Sequence, residues 1–265
     1  MKDLNILICE GNTPEEGKNF HDVGIATHTI SLKESLSYYN KSLNIDVLNP
    51  CLELNLNEIE PNLKKYDGLV WGGSSLNIYN DTIEIRRQIS FMKECFKSIK
   101  KILAICWGMQ VAVTAAGGEV KKGIKGSHIG IANDIELTKD GLNHPLYKEK
   151  NKKFNSPAFN FDEVDTLPND AVHFASNKIN KIQSIHFKSG SSDVWGLQYH
   201  PEITYHKMIT LIKFRKDRLI NDRKCFKDEK EIQEHINFIE QEIKISKKNS
   251  RMLELKNWLE YLKVA

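Results

Sequence analysis

The chain has 265 residues, of which 40% are hydrophobic, and it contains four tryptophans. It can therefore bury a sizeable core, and an α/β sheet of this size often forms one domain. Its 38 Lys and Arg residues nearly balance 35 Asp and Glu residues, which leaves a net charge of +3. This excess is too small to indicate a nucleic-acid-binding protein, because such proteins present dense basic patches to phosphates.

Composition also argues against a membrane protein or a metalloprotein. No segment approaches the roughly 20 apolar residues needed to cross a bilayer, and no basic start precedes an apolar N-terminal stretch. The five cysteines have no short paired spacing, and no histidine lies in an H-E-x-x-H pattern. We expect a soluble, cytoplasmic protein with reduced thiols, no metal and no cofactor.

Apolar runs alternate with amphipathic runs along the chain, which is typical of βα units on a mainly parallel, doubly wound sheet. The predicted strands are Leu4–Cys9, Ile45–Leu48, Gly68–Trp71, Lys101–Ile105, Ile129–Leu137, Val172–Ala175, Ile182–Phe187 and Val194–Tyr199. The predicted helices are Leu32–Asn40, Ile83–Ser98 and Trp107–Ala116. Short βα connections would place their loops at one edge of the sheet, where ligand sites of α/β proteins form.

The first connection, from Glu10 to Ile30, is unusually long and contains Gly11, Pro14, Gly17 and Gly24. A connection of this length is either a functional lid or a flexible loop. The sequence leaves both interpretations open.

Two apolar stripes at helical spacing mark the C-terminal part of the chain. The first is Ile232, Ile236, Ile239 and Ile243, and the second is Met252, Leu255, Trp258 or Leu259, and Leu262, with a predicted break at Lys247–Ser250. We therefore divide the chain into a domain of residues 1–205 and a helical C-terminal extension of residues 206–265. The extension packs on that domain, or on a second copy of the chain to make a homodimer.

The segment from Lys101 to Gln110 predicts a buried strand that delivers Cys106 at a sharp strand-to-helix turn. Such a nucleophile elbow needs small residues beside the nucleophile, and Ala104 and Gly108 supply them. A cysteine at a helix N-terminus gains thiolate character from the helix dipole and the free N–H groups. For a single cysteine, a buried apolar role is an equally good interpretation.

A second candidate segment ends in Gln198-Tyr-His200-Pro-Glu202, where a strand breaks at proline. A thiol that attacks an amide needs a base to take its proton and an acid to orient that base. His200 and Glu202 fit these two roles. The tripeptide alone is weak evidence, and its value comes from its combination with the elbow.

Both segments resemble the class I, or triad-type, glutamine amidotransferase family, including the glutaminase domain of GMP synthase and related stand-alone proteins. That family has G-x-C-x-G-x-Q at its elbow and a strand ending in Q-F-H-P-E. Further matches follow in family order over about residues 1–205, at Tyr66–Ser75, Ala115–Val120, His128–Gly130, Asp134–Thr138, Asp162–Val164 and Leu167–Pro168. The resemblance implies a flavodoxin-like fold with the nucleophile elbow.

The resemblance also implies roles for individual residues. Cys106, His200 and Glu202 would form the catalytic triad, and the backbone N–H groups of Gly73 and Trp107 would stabilise the oxyanion. The residues expected to contact the substrate are Gln110, Gly72, Ser74, His128 and Ile129.

Three residues depart from the family pattern. Ala104 replaces the first glycine of the elbow and is small enough for activity to survive. Asn160 stands where histidine is common, and His128 stands where glutamate or another polar residue is common. The last two put the substrate in question rather than the triad.

The implied reaction is hydrolysis of the γ-carboxamide of glutamine through a glutamyl thioester on Cys106. Because the sequence contains no P-loop and no acceptor domain after Glu202, the ammonia would pass to a separate synthetase partner. The alternative is a stand-alone hydrolase of γ-glutamyl amides or peptides. A third alternative, a catalytically silent binding module, is disfavoured by the intact triad residues.

Overall fold

The computed structural model describes residues 3–264. Met1 and Lys2 of the predicted domain 1–205 and Ala265 of the predicted extension 206–265 lie outside the described residues. The strands are β1 (Leu4–Cys9), β2 (Leu43–Leu48), β3 (Gly68–Trp71), β4 (Lys101–Ile105), β5 (Glu119–Lys122), β6 (His128–Ile129), β7 (Ala132–Leu137), β8 (Lys153–Ser156), β9 (Phe159–Asn160), β10 (Asp162–Thr166), β11 (Val172–Ser176), β12 (Ser184–Ser189) and β13 (Ser192–Leu197). The α-helices are α1 (Pro14–Asp22), α2 (His28–Tyr39), α3 (Leu56–Leu63), α4 (Ile83–Ser98), α5 (Trp107–Ala115), α6 (Lys139–Asn143), α7 (Tyr205–Phe214), α8 (Glu229–Ile245), α9 (Lys248–Arg251) and α10 (Leu253–Leu262).

A nine-stranded sheet organises the fold in the order β2-β1-β3-β4-β13-β12-β11-β7-β8. The five strands from β2 to β13 run parallel, and the four remaining pairs are antiparallel. Strands β3 and β4 consist almost entirely of buried apolar residues, as expected for parallel strands covered on both faces. The expected doubly wound α/β sheet is confirmed, with an antiparallel half added to it.

The helices lie on both faces of this sheet and form two core clusters. Leu32 of α2 and Trp258 of α10 pack in the first cluster, with Ile6 of β1. Met92 of α4 and Val111 of α5 pack in the second cluster, on the opposite face. This arrangement leaves the carboxyl ends of the parallel strands free to carry loops.

The first connection is helical rather than irregular. Helix α1 begins at Pro14, after Thr13 accepts a hydrogen bond from the backbone N–H of Glu16, and α2 begins after the equivalent cap at Thr27. These helices occupy more than half of the segment from Glu10 to Ile30, so it is not an irregular loop, and its role as a lid stays a prediction.

The C-terminal extension contains more helices than the two that the sequence predicts. Helix α7, a π-helical turn at Arg218–Asp222 and helix α8 come first, and the helical structure is then interrupted at Ser246 and Lys247. The two apolar stripes do not pair with each other: that of α8 packs with α7 and Ile129, and that of α10 packs on the sheet. Both stripes are thus buried on the chain's own surface, and a homodimer through these helices stays a prediction.

Helix α10 is part of the main core. The Trp258 side chain is fully buried, and a Cβ added at Gly68 of β3 would lie 2.8 Å from its ring. Within residues 3–264, no helix has the length and apolar character that crossing a bilayer requires.

Replacing Trp258 by alanine tests this packing. We expect Trp258→Ala to lower the free energy of unfolding by about 3–5 kcal/mol, because it leaves a large cavity beside β3. The matched control is Phe238→Ala on α8, where the ring is half exposed and the change should stay within about 0.5 kcal/mol. Urea denaturation measures both, and equal small effects would mean that α10 unfolds independently.

Candidate active site

Cys106 occupies the strained turn between β4 and α5. Its φ of 53° and ψ of −104° lie outside the regions that non-glycine residues commonly adopt. The turn is held by hydrogen bonds from Cys106 N to the Leu197 carbonyl (2.6 Å) and from Gly108 N to the Gly72 carbonyl (3.1 Å). A Cβ at Gly108 would lie 2.3 Å from the Trp71 carbonyl oxygen, so only glycine fits there. The structure therefore has the nucleophile elbow that the sequence predicts.

His200 and Glu202 form a buried hydrogen-bonded pair directly after β13. His200 Nδ1 lies 2.7 Å from Glu202 Oε1, and both side chains are almost completely buried. The guanidinium of Arg251 in α9 donates to the carbonyls of Pro201 and Ile203, which fixes the backbone on both sides of Glu202. The carboxylate thereby holds the imidazole in one orientation.

Cys106 and His200 line the same cleft, but no hydrogen bond joins their side chains among the described residues. The thiol instead has a polar contact with Gln198 Nε2, at 3.5 Å from Sγ. Catalytic hydrogen bonds are often long in unliganded enzymes and shorten when substrate binds. The arrangement is compatible with proton transfer from the thiol to His200 during the reaction.

The electrostatics of this pair differ from the sequence-based expectation. Burial, and after it the negative charge of Glu202, raise the pKa of the Cys106 thiol to about 12, although the N–H of Trp107 opposes this shift. Burial of the Cys106 thiol therefore opposes the thiolate character that the helix N-terminus favours. Burial would also raise the pKa of Glu202, but His200 and then His28 outweigh it and lower that pKa to about 2.

Gly73 lies where an oxyanion donor is expected, in the loop after β3. Its backbone N–H has no acceptor among the described residues, and Trp107 N–H points at the Cys106 sulfur. A Cβ at Gly73 would lie 2.5 Å from His28 Cε1 and 2.9 Å from His200 Cε1. This position is therefore closed to any larger side chain.

His28, at the start of α2, is a component of the site that sequence reasoning missed. Its ring stacks on that of His200 at a centroid distance of 4.9 Å, and its Nδ1 lies 3.6 Å from Glu202 Oε1. These three residues offer donor atoms within 4.8 Å of one another, the kind of cluster that can hold a metal ion. Because the hydrogen bond of His200 with Glu202 already uses two of those donors, we interpret the cluster as a catalytic pair with an additional imidazole.

The cleft has two parts on either side of Cys106. We call the first the Gln110 pocket, which is lined by Ser74, Gln110, Asn160, Phe161, Asp162 and the arginines Arg215, Arg218 and Arg223. We call the second the His200 pocket, which is lined by His200, His28, Phe20, Ile203, Met208, Leu211 and Arg215. Ser74 and Gln110 thus lie where substrate contacts were predicted, whereas Gly72 accepts the hydrogen bond of Gly108 and supports the elbow.

His128 and Ile129 do not line either pocket in the unliganded structure, and their substrate contact stays a prediction. His128 Nδ1 pairs with Asn160 Oδ1 at 3.0 Å, and its Nε2 faces Asn177 at 2.9 Å. Burial lowers the pKa of His128 to about 4, so the ring is neutral. The two departures at positions 128 and 160 are therefore hydrogen-bond partners that support the pocket wall from behind.

The first connection covers the His200 pocket and is tied to the C-terminal extension. Glu16 Oε1 of α1 accepts hydrogen bonds from Ser75 Oγ (2.6 Å) and from Arg215 Nη2 (3.0 Å). The Arg215 guanidinium lies over the ring of Phe20, 5.4 Å from its centroid. Segments that are distant in sequence thus close one wall of the cleft together.

Comparison with known proteins identifies the family. The family model for glutamine amidotransferase class-I matches residues 27–216. The chain belongs to the class I glutamine amidotransferase family. The resemblance of the sequence motifs is thereby confirmed, and membership of this family supports an enzyme.

Individual relatives define the similarity further. A γ-glutamyl-L-1-hydroxyisopropylamide hydrolase of a Pseudomonas species is 35% identical over 207 residues, which cover 77% of this chain and 69% of that protein. A subunit of the glutamine-hydrolysing GMP synthase from Methanococcus vannielii is 27% identical over 66% of this chain and 82% of its own length. The crystal structure of a glutamine amidotransferase from Thermotoga maritima superposes on this chain with a TM-score of 0.66. The alignment covers 100% of each chain at 20% identity. That likeness supports the fold.

The buried thiol makes a prediction about pH. In the unliganded amidotransferase, we expect iodoacetamide to alkylate Cys106 slowly at pH 7, with a rate that rises roughly tenfold per pH unit towards pH 9, because only the thiolate reacts. Peptide mapping measures this rate separately from that of Cys225, which is partly exposed. A glutamine-like diazo-ketone should label Cys106 at pH 7. Rapid labelling by iodoacetamide at pH 7 would instead indicate a preformed thiolate.

Gly73 tests the loop beside the two imidazoles. We expect Gly73→Ala to lower kcat by about 100-fold or more with a smaller change in KM, because the new Cβ displaces His200 and the oxyanion donor. Gly17→Ala is the matched control, since a Cβ there meets open space. A change confined to KM would show that the loop only contacts the substrate.

Proposed function

We propose that this protein hydrolyses the γ-amide bond of γ-glutamyl compounds through a thioester on Cys106. The observation that carries the proposal is the common cleft of Cys106 and the buried His200–Glu202 pair, with the free N–H of Gly73 beside them. A nucleophile, an oriented base and oxyanion donors are the three components that amide hydrolysis needs.

The first half-reaction forms the thioester. His200 takes the proton of the Cys106 thiol while sulfur attacks the amide carbon, and the N–H groups of Gly73 and Trp107 stabilise the oxyanion. The carbon–nitrogen bond then breaks, and His200 gives its proton to the departing amine. Glu202 stabilises the imidazolium that forms between these two steps.

The second half-reaction releases glutamate. Water occupies the place of the amine, His200 takes a proton from it, and the hydroxide adds to the thioester carbon. The carbon–sulfur bond breaks, and the proton returns from His200 to the Cys106 sulfur. The cycle consumes one water and restores the neutral thiol, the state that burial favours.

The two pockets differ in what they suit. Because His200 protonates the leaving amine, the amine belongs in the His200 pocket and the glutamyl group in the Gln110 pocket. Phe20, Phe159, Ile203, Met208 and Leu211 form an apolar part of the His200 pocket, beside polar walls that include Ser74, Ser75 and Arg215. Ammonia gains nothing from the apolar part, whereas a small alkylamine buries its carbon atoms against it. This favours a stand-alone hydrolase of substituted γ-glutamyl amides, which is also the activity named for the Pseudomonas relative.

A second candidate function is supply of ammonia from glutamine to a synthetase partner. The relationship to the Methanococcus GMP synthase protein supports it, since that protein is named as one subunit of a glutamine-hydrolysing enzyme. In this case the apolar walls would be completed or displaced by the partner. The substrate preference of the chain alone separates the two functions.

Steady-state kinetics with L-glutamine and γ-L-glutamyl isopropylamide test the proposal. We expect the isolated chain to prefer the isopropylamide by about 10-fold or more in kcat/KM, from burial of its methyl groups. Leu211→Asp should reduce this preference, and Leu142→Asp, a control at a half-exposed leucine outside the cleft, should not. Cys106→Ser should abolish both activities.

Two outcomes would contradict this proposal. Robust turnover of glutamine, at a kcat/KM above that of any substituted amide, would support the glutaminase. Activity that develops only after addition of a co-purifying synthetase would support it more strongly.

A further inference from the structure

Three arginines of the C-terminal extension face the Gln110 pocket, and they differ in their charge partners. Arg215 pairs with Glu16, at 3.0 Å. Arg218 and Arg223 lie at the two ends of the π-helical turn, and within residues 3–264 neither has a carboxylate oxygen within 4.0 Å of its guanidinium. Arg218 and Arg223 therefore line the cleft without a direct ion pair, and the charge of Arg223 interacts at longer range with the buried carboxylate of Asp162.

The side chain of Arg223 is nevertheless held in place. Its Nη2 donates to Asn77 Oδ1 at 3.2 Å, and its guanidinium lies over the Phe161 ring, 4.4 Å from the centroid. Both contacts orient the guanidinium without forming an ion pair with it. A guanidinium held in a fixed orientation suits a carboxylate, which accepts two parallel hydrogen bonds from arginine.

The three guanidinium groups are close enough to influence one another. Burial lowers the pKa of Arg215; Glu16 counteracts burial, and the positive charges of Arg218 and Arg223 lower the pKa further. A bound anion would relieve this mutual repulsion.

A negative charge lines the same pocket. Asp162 is buried, and its carboxylate accepts hydrogen bonds from Asn77 Nδ2 (2.6 Å) and the Tyr79 hydroxyl (3.0 Å). Among the described residues, Asp162 forms no ion pair with Arg218 or Arg223. A pocket with separated positive and negative walls is complementary to a zwitterion, and an α-amino acid group is one.

We propose that Arg218 and Arg223 bind the α-carboxylate of the γ-glutamyl group, with Asp162 facing its α-ammonium group. This inference rests on the proposed function, and it assigns the C-terminal extension a part in substrate recognition. The substrate class narrows accordingly to γ-glutamyl compounds whose α-carboxylate is free. Gln110 lies in the same pocket and supports the same end of the substrate.

A kinetic cycle tests the proposal. The substrates are γ-L-glutamyl isopropylamide and the same compound with its α-carboxylate converted to a carboxamide, and the variants are Arg218→Gln and Arg223→Gln. For the carboxylate substrate, we expect each variant to raise KM by about 10- to 100-fold, as for loss of hydrogen bonds to a charged group, with kcat little changed. For the carboxamide substrate, which is poor already, neither variant should raise KM further.

The matched control is Lys224→Gln, which removes an exposed positive charge next to Arg223. It should leave the KM of both substrates unchanged, which separates a general electrostatic effect from direct binding by Arg218 and Arg223. An equal loss on both substrates, or no loss on either, would overturn the proposal.

Binding to the Cys106→Ala variant distinguishes failure of this inference from failure of the proposed function. We expect calorimetry to detect L-glutamine binding that the additional Arg223→Gln change weakens by about 10-fold or more. If that result holds while the intact enzyme hydrolyses no γ-glutamyl amide, the proposed function fails and the inference stands. If Cys106→Ala binds neither L-glutamine nor the isopropylamide, or binds them independently of Arg223, the inference fails.

Discussion

The site depends on the side-by-side ending of three parallel strands, β3, β4 and β13, at one edge of the sheet. Strand β4 delivers Cys106, β3 leads into Gly73, and β13 leads into His200. Their spacing leaves so little room that Gly108 meets the Trp71 carbonyl and Gly196 meets Met109, so a Cβ at either glycine would collide. The strained backbone of Cys106 persists because these neighbours hold it on both sides.

The C-terminal extension is integrated with this centre rather than attached to the outside of the domain. Arg251 fixes the carbonyls that flank Glu202, and Arg215 ties α1 to the loop after β3. The same segment supplies Arg218 and Arg223 to the Gln110 pocket. The buried His200–Glu202 pair is thus combined with pocket walls from the C-terminal extension, and under the proposed function these walls determine which amide enters.

The sequence predicts the parts of the fold and site whose signals are local. Strands β3 and β4 are predicted with their observed bounds, since continuous apolar runs between polar residues mark buried parallel strands. The prediction fails where glycine and proline mask a helix, as in α1, which starts at Pro14 and contains Gly17. It also fails for His28, because no spacing in the sequence indicates that α2 will lie beside His200. The motif position of His128 predicts a substrate contact, whereas its hydrogen bond with Asn160 arises only in the folded chain and has no local signal in the sequence.

The central claim is that a γ-glutamyl group is carried on Cys106 between the two halves of the reaction. Acid quenching during turnover of a γ-glutamyl amide, followed by mass spectrometry of the intact protein and its peptides, tests this most directly. The account predicts an adduct of one glutamyl residue on the peptide that contains Cys106, labile to hydroxylamine as a thioester is. Steady turnover without an adduct on Cys106, or an adduct on another residue, would contradict the account.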